Sequence, residues 1–453
     1  MYGTEGERLS MIVAGDAIVT RRISSCEVDA FRQVVDLVRS ADVSLANLEV
    51  LLCDYDDGYP AAQSGGTYMR APPWVVDELT WFGFDAFAAA TNHTGDFGIG
   101  GIEATMAHLE NRAVPYAGLG NNLATAREPA YVETAAGRVG LVAACSTVVP
   151  GTVAGQQRSD MGGRPGLSPL RFDTAYEVPS ETIEMLRETS ETLGLEGIKR
   201  DAKHQGFPVP GEDEEGFTLI NADGENVRFV ESDDGDSTVR MEPNEDDVAA
   251  ILGRIDEASR QSDWVVASLH GHEGEAGGLN DRVVPDFHEE FARACIDTGA
   301  DLFMGHGSHL LRGIEIYDGT PIFYSLGNFV MQNETVTRLP TELYERYDVD
   351  PTATPADLFD ARVFDEEETR IGFLSDQGFW ETVVPVCEYE DGVLDRIELY
   401  PLELGFEAPR SQRGRPLLAT GETATRILTD VADLSSPYGT AVSIEDGTGI
   451  VEI

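Results

Sequence analysis

Short apolar segments alternate with amphipathic segments over most of this 453-residue chain. Residues 9–16 (LSMIVAGD) and 301–306 (DLFMGH) are apolar runs of strand length, and residues 26–42 have the apolar spacing of a helix that faces a core. This alternation favours an α/β layered fold in which the strands are buried. Further strands are predicted over 43–49, 86–93 and 263–270, helices over 72–85, 101–114, 245–261 and 285–300, and hairpins over 131–145 and 314–326.

Residues 151–244 interrupt the alternation. They are rich in Gly and Pro turns and contain a helical segment at 180–195 and a predicted hairpin at 217–231 that turns at Asp-Gly. We therefore predict one domain in two parts, 1–150 and 245–453, the second with a C-terminal tail. Residues 151–244 are then an insertion or lid.

The net charge of −49, from 81 acidic and 32 basic residues, argues against nucleic acid or anionic membrane as a partner. The carboxylates are spread along the whole chain. This favours a solvated surface adapted to high salt over a polyanion mimic or an acidic tail. In molar salt the Debye length falls to about 3 Å, so the self-repulsion is screened.

Cysteine spacing and the N-terminal sequence indicate the cellular compartment of the protein. The five cysteines are far apart and form no CxxC pair, so neither a disulfide framework nor a zinc ribbon is predicted. The N-terminal MYGTEGERLS lacks the basic and apolar regions of a signal peptide, and no apolar run has the length of a membrane span. We expect a cytoplasmic protein, in a high-salt cytoplasm, with no membrane span.

Polar side chains follow five of the predicted strands. In open α/β sheets ligands bind beyond the carboxyl ends of the strands, so these side chains are expected to share one crevice. Carboxylate, amide and imidazole groups together suit Zn, Mn or Fe, or a two-metal site. The residues are Asp16; Asn47 and Glu49; Asn92, His93 and Asp96; His270 and His272; and His306 and His309.

Each of these residues could instead have a purely structural role. An Asp that follows Gly at a strand end is commonly a turn or a helix cap, and Asn47 and Glu49 could be loop residues. His108 and His288 lie in helical segments, where surface or packing roles are expected, and His204 has no predicted partner. Five of the eight histidines nevertheless fall at strand ends, which favours a metal site.

Several longer motifs occur in a fixed order: GDAIVTR (15–21), ANLE (46–49), TNHTGDFGIGGIEAT (91–105), SLHGHEGE (268–275) and GADLFMGHGSHLLRGIEIYDGTPIFYSLGNF (299–329). They resemble the capsule-synthesis CapA family, which is tied to the assembly of poly-γ-glutamate capsules. The core of that family resembles calcineurin-like metallophosphoesterases. The resemblance covers about residues 9–150 and 250–440 and implies a layered αββα sandwich with an insertion.

The resemblance also implies roles for single residues. Glu49 is the expected bridging carboxylate, and His93 is the expected acid that protonates a leaving group, oriented by Asp96. One or two divalent ions, Mn, Fe or Zn, are the implied cofactor. The implied metal ligands are Asp16, Glu49, Asn92, His270, His306 and His309, with His272, Asn47 and Asn328 as further candidates.

This chain departs from the phosphoesterase pattern at several positions. Ile18 stands where a ligand His is usual, Glu49 replaces an Asp, and HGSH has two residues between its histidines where the usual motif has one. In the HGHEG segment, Gly271 replaces the usual Trp and Gly274 the usual Glu, and His272 is a candidate replacement ligand.

Two function classes follow. The first is a metal-dependent hydrolase of a phosphoester or of a γ-glutamyl or related amide, with a small-molecule or polyglutamate-like substrate. The second is a non-catalytic metal-binding factor for the assembly or export of an anionic polymer.

Overall fold

The structure, a computed structural model, describes residues 8–209, 216–220 and 226–453. Its strands are numbered here in chain order. They are β1 (Leu9–Ile18), β2 (Val43–Asn47), β3 (Leu51–Leu52), β4 (Arg70–Ala71), β5 (Ala86–Ala88), β6 (Tyr116–Ala117), β7 (Leu119–Gly120), β8 (Ala130–Glu133), β9 (Arg138–Cys145), β10 (Gly166–Leu167), β11 (Phe172–Val178), β12 (Phe217–Ile220), β13 (Asn226–Glu231), β14 (Thr238–Pro243), β15 (Trp264–Gly271), β16 (Leu302–Gly307), β17 (Ile314–Tyr317), β18 (Thr320–Phe323), β19 (Asn328–Met331), β20 (Glu381–Glu390), β21 (Val393–Glu403), β22 (Leu417–Leu418), β23 (Val442–Glu445) and β24 (Thr448–Val451).

Six of the eleven helices in the described residues match the predicted helical segments to within a few residues at each end, and the other five were not predicted. Among the described residues, no helix is both long enough and apolar enough to span a bilayer. The helices are α1 (Asp29–Ser40), α2 (Val75–Phe82), α3 (Gly98–Glu110), α4 (Leu123–Ala126), α5 (Ser180–Leu193), α6 (Glu196–His204), α7 (Glu245–Ser259), α8 (Asp286–Thr298), α9 (Thr341–Arg346), α10 (Pro355–Val363) and α11 (Gly421–Ser435).

One large sheet is built around β1. Its strand order is β23-β24-β21-β20-β1-β2-β5-β6, and β19 pairs with the carboxyl end of β1. Along β1, Met11 and Val13 pack toward the second sheet, whereas Ile12 and Ala14 pack toward α1 and α2. Because successive side chains of a strand point to opposite faces, an unbroken apolar run is what a strand covered on both faces requires.

The second sheet faces the first one. Its order is β17-β18-β16-β15-β9-β8, with β9, β15, β16 and β18 parallel. Val266 of β15 packs between the sheets, while Val265 packs against α7 and α8 on the outer side. The layers are therefore helix, sheet, sheet and helix, and the predicted αββα sandwich is confirmed.

The predicted hairpins are present. β8 pairs with β9, β17 with β18, and β12 with β13, all antiparallel. The Asp-Gly turn predicted between β12 and β13 lies outside the described residues. β11 to β14 form a four-stranded sheet of their own, and β14 runs beside the 3-10 turn Glu275–Gly277. The predicted boundaries at 151 and 244 stay predictions.

The strand predicted over residues 86–93 is wrong in its second half. β5 ends at Ala88, and Asn92–Gly95 form a 3-10 turn. Thr91 caps this turn: its Oγ1 accepts a hydrogen bond from the backbone N–H of His93, and the Thr94 hydroxyl accepts one from the N–H of Thr91. A capping box of this kind favours a helical turn over continued strand. Asn92 and His93 are thus fixed on a turn.

The backbone is irregular where β1 reaches its carboxyl end. The pairing register of β1 shifts around Asp16 against both β2 and β19. A Cβ on Gly15 would lie 1.9 Å from the carbonyl oxygen of Gly327, so only glycine fits there. β-Bulges re-aim side chains next to functional sites, and this one aims the carboxylate of Asp16 into the space between the sheets.

Candidate metal centre

The candidate centre lies where the carboxyl ends of β1 and β2 meet those of β15 and β16. Asn47, at the end of β2, joins the two sheets. Its Nδ2 donates a hydrogen bond to Oδ1 of Asp16 at 2.8 Å and lies 3.2 Å from Nδ1 of His270. Residues far apart in the chain thus meet in one buried space, as expected for the carboxyl edges of parallel strands.

The carboxylate of Asp16 is fully buried and faces three histidines. Its Oδ2 accepts a hydrogen bond from the backbone N–H of Gly307 at 3.1 Å and lies 3.2 Å from Nδ1 of His309. Its Oδ1 lies 3.7 Å from Nδ1 of His270 and 3.7 Å from Nδ1 of His306. Burial alone would raise the pKa of Asp16. The hydrogen bond with His309, together with the positive charge that the nearby imidazoles carry when protonated, outweighs burial and holds the pKa of Asp16 below its usual value.

Glu49, two residues beyond β2, has a fully buried side chain, and neither of its carboxyl oxygens has a hydrogen-bond partner. Its Oε1 lies 3.9 Å from Nε2 of His93, 3.8 Å from Nε2 of His270 and 3.7 Å from Nε2 of His309. Burial, reinforced by the charge of Asp16, raises the pKa of Glu49 well above its usual value. An unpartnered buried carboxylate is costly and therefore requires a compensating group.

Four histidines hold one ring nitrogen against an oxygen of a neighbouring side chain and turn the other nitrogen toward the centre, and Nδ1 of His309 also lies 3.2 Å from Oδ2 of Asp16. Ring nitrogens of metal-binding histidines are commonly arranged in this way, because the outer contact fixes the tautomer and the orientation of the ring. The outer contacts are His93 Nδ1 to Asp96 Oδ2 (2.7 Å), His272 Nδ1 to Asn280 Oδ1 (2.7 Å), His306 Nε2 to Ser268 Oγ (2.7 Å) and His309 Nδ1 to Asn328 Oδ1 (3.0 Å).

The contact between Asn328 and His309 is fixed by further hydrogen bonds of Asn328. Its Nδ2 donates hydrogen bonds to the carbonyl oxygens of His309 and Phe379, so its Oδ1 is left to accept from Nδ1–H of His309. His309 itself has a positive φ of 61°, which is strained for a residue with a side chain. Such strain persists where the surroundings hold a side chain in a required place.

His270 occupies the middle of the centre. Its Nδ1 lies 3.0 Å from Nδ1 of His306, and its Nε2 lies 3.2 Å from Nε2 of His272 and 3.0 Å from Oδ1 of Asn92. Burial lowers the pKa of His270 well below its usual value, that of His306 to about 4 and that of His272 to about 3. The imidazoles of His270, His272 and His306 are therefore neutral near pH 7, which is the form that binds metals.

These groups fit a divalent cation. Neutral imidazole nitrogens face one another at close range, and the two oxygens of Glu49 point into the same space without a donor. A cation gives these lone pairs a common partner. Three overlapping sets of buried ligand atoms could hold an ion: Asp16, His270 and His306; Glu49, His270 and His272; and Asp16, Glu49 and His309.

Every residue predicted for the site is buried at this place. His272 comes close to His270 although β15 ends at Gly271, so an extended strand is not what brings the two rings together. Asn92 contributes its Oδ1, and its Nδ2 donates to the carbonyl oxygen of Gly65 at 2.9 Å. The roles of metal ligand and proton donor stay predictions.

A second buried cluster, which the sequence motifs do not predict, lies next to His272. Oε2 of Glu273 accepts a hydrogen bond from the hydroxyl of Ser146 at 2.6 Å and lies 3.2 Å from Nε2 of His288, while Oε1 accepts from the hydroxyl of Thr147 at 2.6 Å. Burial opposes ionisation of Glu273, but these contacts lower its pKa to about 2. Thr147 in turn accepts from the backbone N–H of His272 at 2.8 Å.

This cluster holds the segment that carries His272. His288 is buried and lies against the carboxylate of Glu273, so of the two roles expected for it, surface or packing, it has the packing role. The sequence signal was the acidic residue directly after His272, but nothing in the spacing links residue 288 to it. His108 is half-buried in α3, and His204 is exposed at the end of α6.

Comparison with known proteins assigns the family. A family model described as bacterial capsule synthesis protein PGA_cap matches residues 10–333. The chain belongs to this family. The resemblance and the metallophosphoesterase-like fold predicted from the sequence motifs are thereby confirmed.

Similar proteins differ in how much of the chain they match. Uncharacterized protein y4sH of Sinorhizobium fredii (strain NBRC 101917 / NGR234) is 33% identical over 457 residues, covering 98% of this chain and 93% of that protein. Capsule biosynthesis protein CapA of Bacillus anthracis is 22% identical over 333 residues, which is 72% of this chain and 60% of that protein. PGA biosynthesis protein CapA of Bacillus subtilis (strain 168) is 43% identical over 93 residues, 20% of this chain and 23% of that protein.

Proposed function

We propose that this protein is a metal-dependent hydrolase that acts on a phosphoester or an amide in the biosynthesis of a poly-γ-glutamate-like polymer. The environment of Glu49 supports the proposal most strongly. A carboxylate with no exposed atoms and no hydrogen-bond donor, facing three imidazole nitrogens at 3.7 to 3.9 Å, is arranged for a cation.

The proposed ligands are carboxylate, amide and imidazole groups. This mixture suits Mn, Fe or Zn better than Mg, which prefers oxygen atoms alone. A divalent cation held there would polarise a phosphoryl or carbonyl oxygen and make water a stronger nucleophile near neutral pH. One or two ions are proposed, held by Asp16, Glu49, Asn92, His270, His272, His306 and His309.

The pair His93 and Asp96 is proposed to move the proton. Asp96 is fixed because its Oδ1 accepts from the backbone N–H of Gly65 at 3.0 Å and its Oδ2 from that of Met69 at 2.7 Å. It holds Nδ1 of His93 and directs Nε2 into the centre. Protonated His93 can then give the proton on Nε2 to the leaving oxygen or nitrogen, a contribution typically of about 10²–10⁴-fold in rate.

The substrate class is proposed from the relatives. Two of them are named for the biosynthesis of a capsule or of PGA, and both match parts of this chain. The dispersed charge of −49 suits a protein that functions at high salt. Salt screens the repulsion between this chain and an anionic polymer, so the two could still bind each other. A non-catalytic role in polymer assembly is the second candidate, and the departures at Ile18 and Gly274 favour it.

Hydrolysis assays separate these candidates. Protein loaded with Mn, Fe or Zn is incubated with p-nitrophenyl phosphate, bis(p-nitrophenyl) phosphate and γ-glutamyl-p-nitroanilide. We expect turnover of at least one probe, a loss of about 10²–10⁴-fold in His93→Gln with bound metal unchanged, and full activity in the control His108→Gln. Metal-loaded protein that cleaves none of the probes would favour the assembly role.

A further inference from the structure

A pocket of about 420 Å³ borders the candidate metal centre. It lies between α10 and the 3-10 turns Gly372–Leu374 and Gln377–Trp380. Two of its lining residues contact histidines of the centre. The Phe373 ring lies edge-on to that of His309, with 5.6 Å between the ring centres, and Oδ1 of Asn280 lies 2.7 Å from Nδ1 of His272. A ligand in this pocket is therefore next to the place where chemistry is proposed.

The pocket carries a positive charge in a strongly acidic protein. Its carboxylate, that of Glu334, is neutralised by two arginines: Nε of Arg413 lies 2.5 Å and Nε of Arg410 lies 3.4 Å from its oxygens. Arg362 also lines the pocket, and within the described part of the chain it forms no ion pair with a carboxylate. Its Nη1 donates a hydrogen bond to the hydroxyl of Thr67 at 2.5 Å.

Arg362 is held in place by aromatic rings. Its guanidinium lies over the ring of Tyr347 at 5.2 Å and near that of Phe359 at 5.6 Å. Cation–π contacts hold a guanidinium without neutralising it, so the fork of N–H donors stays available for an anion. The chain has 81 acidic residues. Arg362 nevertheless forms an ion pair with none of the acidic residues that the structure describes, so it brings a positive charge to the pocket lining.

The remaining walls are aromatic and rigid. The rings of Phe373 and Phe379 meet edge to face with 5.0 Å between their centres. Nε1 of the buried Trp380 donates to the carbonyl oxygen of Phe373 at 2.6 Å, which fixes the turn. Such walls accept methylene groups and planar amides, while Asn280 and Ser375 offer polar atoms at the edge.

We propose that this pocket binds the part of the substrate next to the cleaved bond and that Arg362 binds a carboxylate on that part. Arg362 is then a specificity residue that selects carboxylate-bearing amides, such as γ-linked glutamyl chains, over uncharged analogues. A guanidinium offers two parallel N–H donors to a carboxylate, which gives both charge and geometry. This inference rests on the proposed function, because it assumes that the adjoining centre acts on the bound molecule.

Isothermal titration with two probes tests this role. The probes are γ-L-glutamyl-L-glutamate and the same dipeptide with every carboxylate converted to a carboxamide, each titrated into metal-loaded protein. The titrations use a His93→Gln background so that turnover does not obscure binding. Arg362→Gln is expected to weaken the acidic probe by about ten- to hundredfold, the range for a hydrogen bond to a charged group, and to leave the carboxamide probe unchanged.

Two further variants make the result specific. Arg362→Lys keeps the positive charge but loses the planar fork of N–H donors, so we expect it to lose less affinity for the acidic probe than Arg362→Gln does. Arg362→Lys replaces Arg362→Gln in the test if the Gln variant fails to fold. The exposed Arg346, at the end of α9 and outside the pocket lining, is the matched control, and Arg346→Gln is expected to bind both probes as the parent does.

Three outcomes would overturn the inference: no binding of the acidic probe by the parent, equal affinity in Arg362→Gln, or an equal loss for both probes. Failure of the proposed function gives a different result. If the acidic probe binds through Arg362 while metal-loaded protein with His93 intact hydrolyses no probe, the pocket assignment stands and the hydrolase proposal falls.

Discussion

Replacing Glu49 with Gln is expected to reverse the order of stability between metal-free and metal-loaded protein. Gln has the shape of Glu without its charge. In the metal-free protein the Glu49 side chain is buried with no donor to either oxygen, and such a group costs about 1–3 kcal/mol when it is neutral and more when it is ionised. Because Gln cannot ionise, metal-free Glu49→Gln should be more stable than the parent at a pH where Glu49 is ionised, by an amount of this order.

Metal should invert that order. A ligand that binds only the folded state adds about 2.7 kcal/mol at a concentration of 100 times its Kd. The amide of Gln is a weaker ligand than a carboxylate, so the variant gains less from the same metal concentration. In excess metal the parent should be the more stable protein.

The pH dependence of the metal-free proteins follows from the same group. The pKa of Glu49 is raised by burial, so between its usual value of 4.5 and the raised value the folded state binds more protons than the unfolded state. The contribution of Glu49 to the stability of the parent therefore falls as pH rises through this window, with a slope of up to about 1.4 kcal/mol per pH unit. Because Glu49→Gln lacks this term, its advantage should grow with pH.

Urea unfolding measures all three effects. Midpoints are compared for the parent, for Glu49→Gln and for the exposed control Glu103→Gln, in EDTA and in excess Mn or Zn, at pH 5 and pH 7. The reasoning would be refuted if metal-free Glu49→Gln were less stable than the parent while metal raised both midpoints equally.

The remaining predictions concern the neighbouring cluster, the buried histidines and the surface charge. Glu273→Gln should lower the free energy of unfolding by about 1–3 kcal/mol, since it weakens the acceptor shared by Ser146 and Thr147; an unchanged urea midpoint would contradict this. The contribution of His306 to the stability of the metal-free protein should fall as pH drops from about 6.5 toward 4, because burial lowers the pKa of His306 to about 4 in the folded state and the unfolded state therefore takes up the proton first. His306→Gln should flatten that dependence in urea midpoints measured between pH 7 and pH 4.5, and an unaltered profile would count against it. Thermal melts should shift upward between 0.1 and 2 M KCl because salt screens the charge of −49, and no gain would argue against a high-salt origin.

Much of the fold was predictable because its strands are buried on both faces. The run Met11 to Ala14 has to be apolar at every position when helices cover one face of β1 and a second sheet covers the other. The hairpins of β8 with β9 and of β17 with β18 were also predictable, because turn residues such as Gly and Asp mark the short connections between their strands. The strand over 86–93 was mispredicted because the Thr91 cap acts over three residues and outweighs the apolar run before it.

Position at strand ends predicted part of the candidate site, and the family resemblance of the motifs supplied the rest. Asp16, His270 and His306 have this position, and parallel strands bring their carboxyl ends together. The pairing of Asn328 with the end of β1 joins residues over 300 positions apart and has no local signal. The same holds for the contact of His288 with Glu273 and for the pocket around Arg362, because both depend on how helices and turns pack in three dimensions.

The metal content of the purified protein tests the central claim most directly. Protein is purified in chelator-free buffer, and bound Mn, Fe and Zn are counted per chain by elemental analysis, alongside Asp16→Ala, His306→Ala and the control His108→Gln. The account predicts at least one ion per chain in the parent and the control, and loss of metal in the two ligand variants while they remain folded. A parent protein that holds no metal, also after incubation with each of these ions, would contradict it.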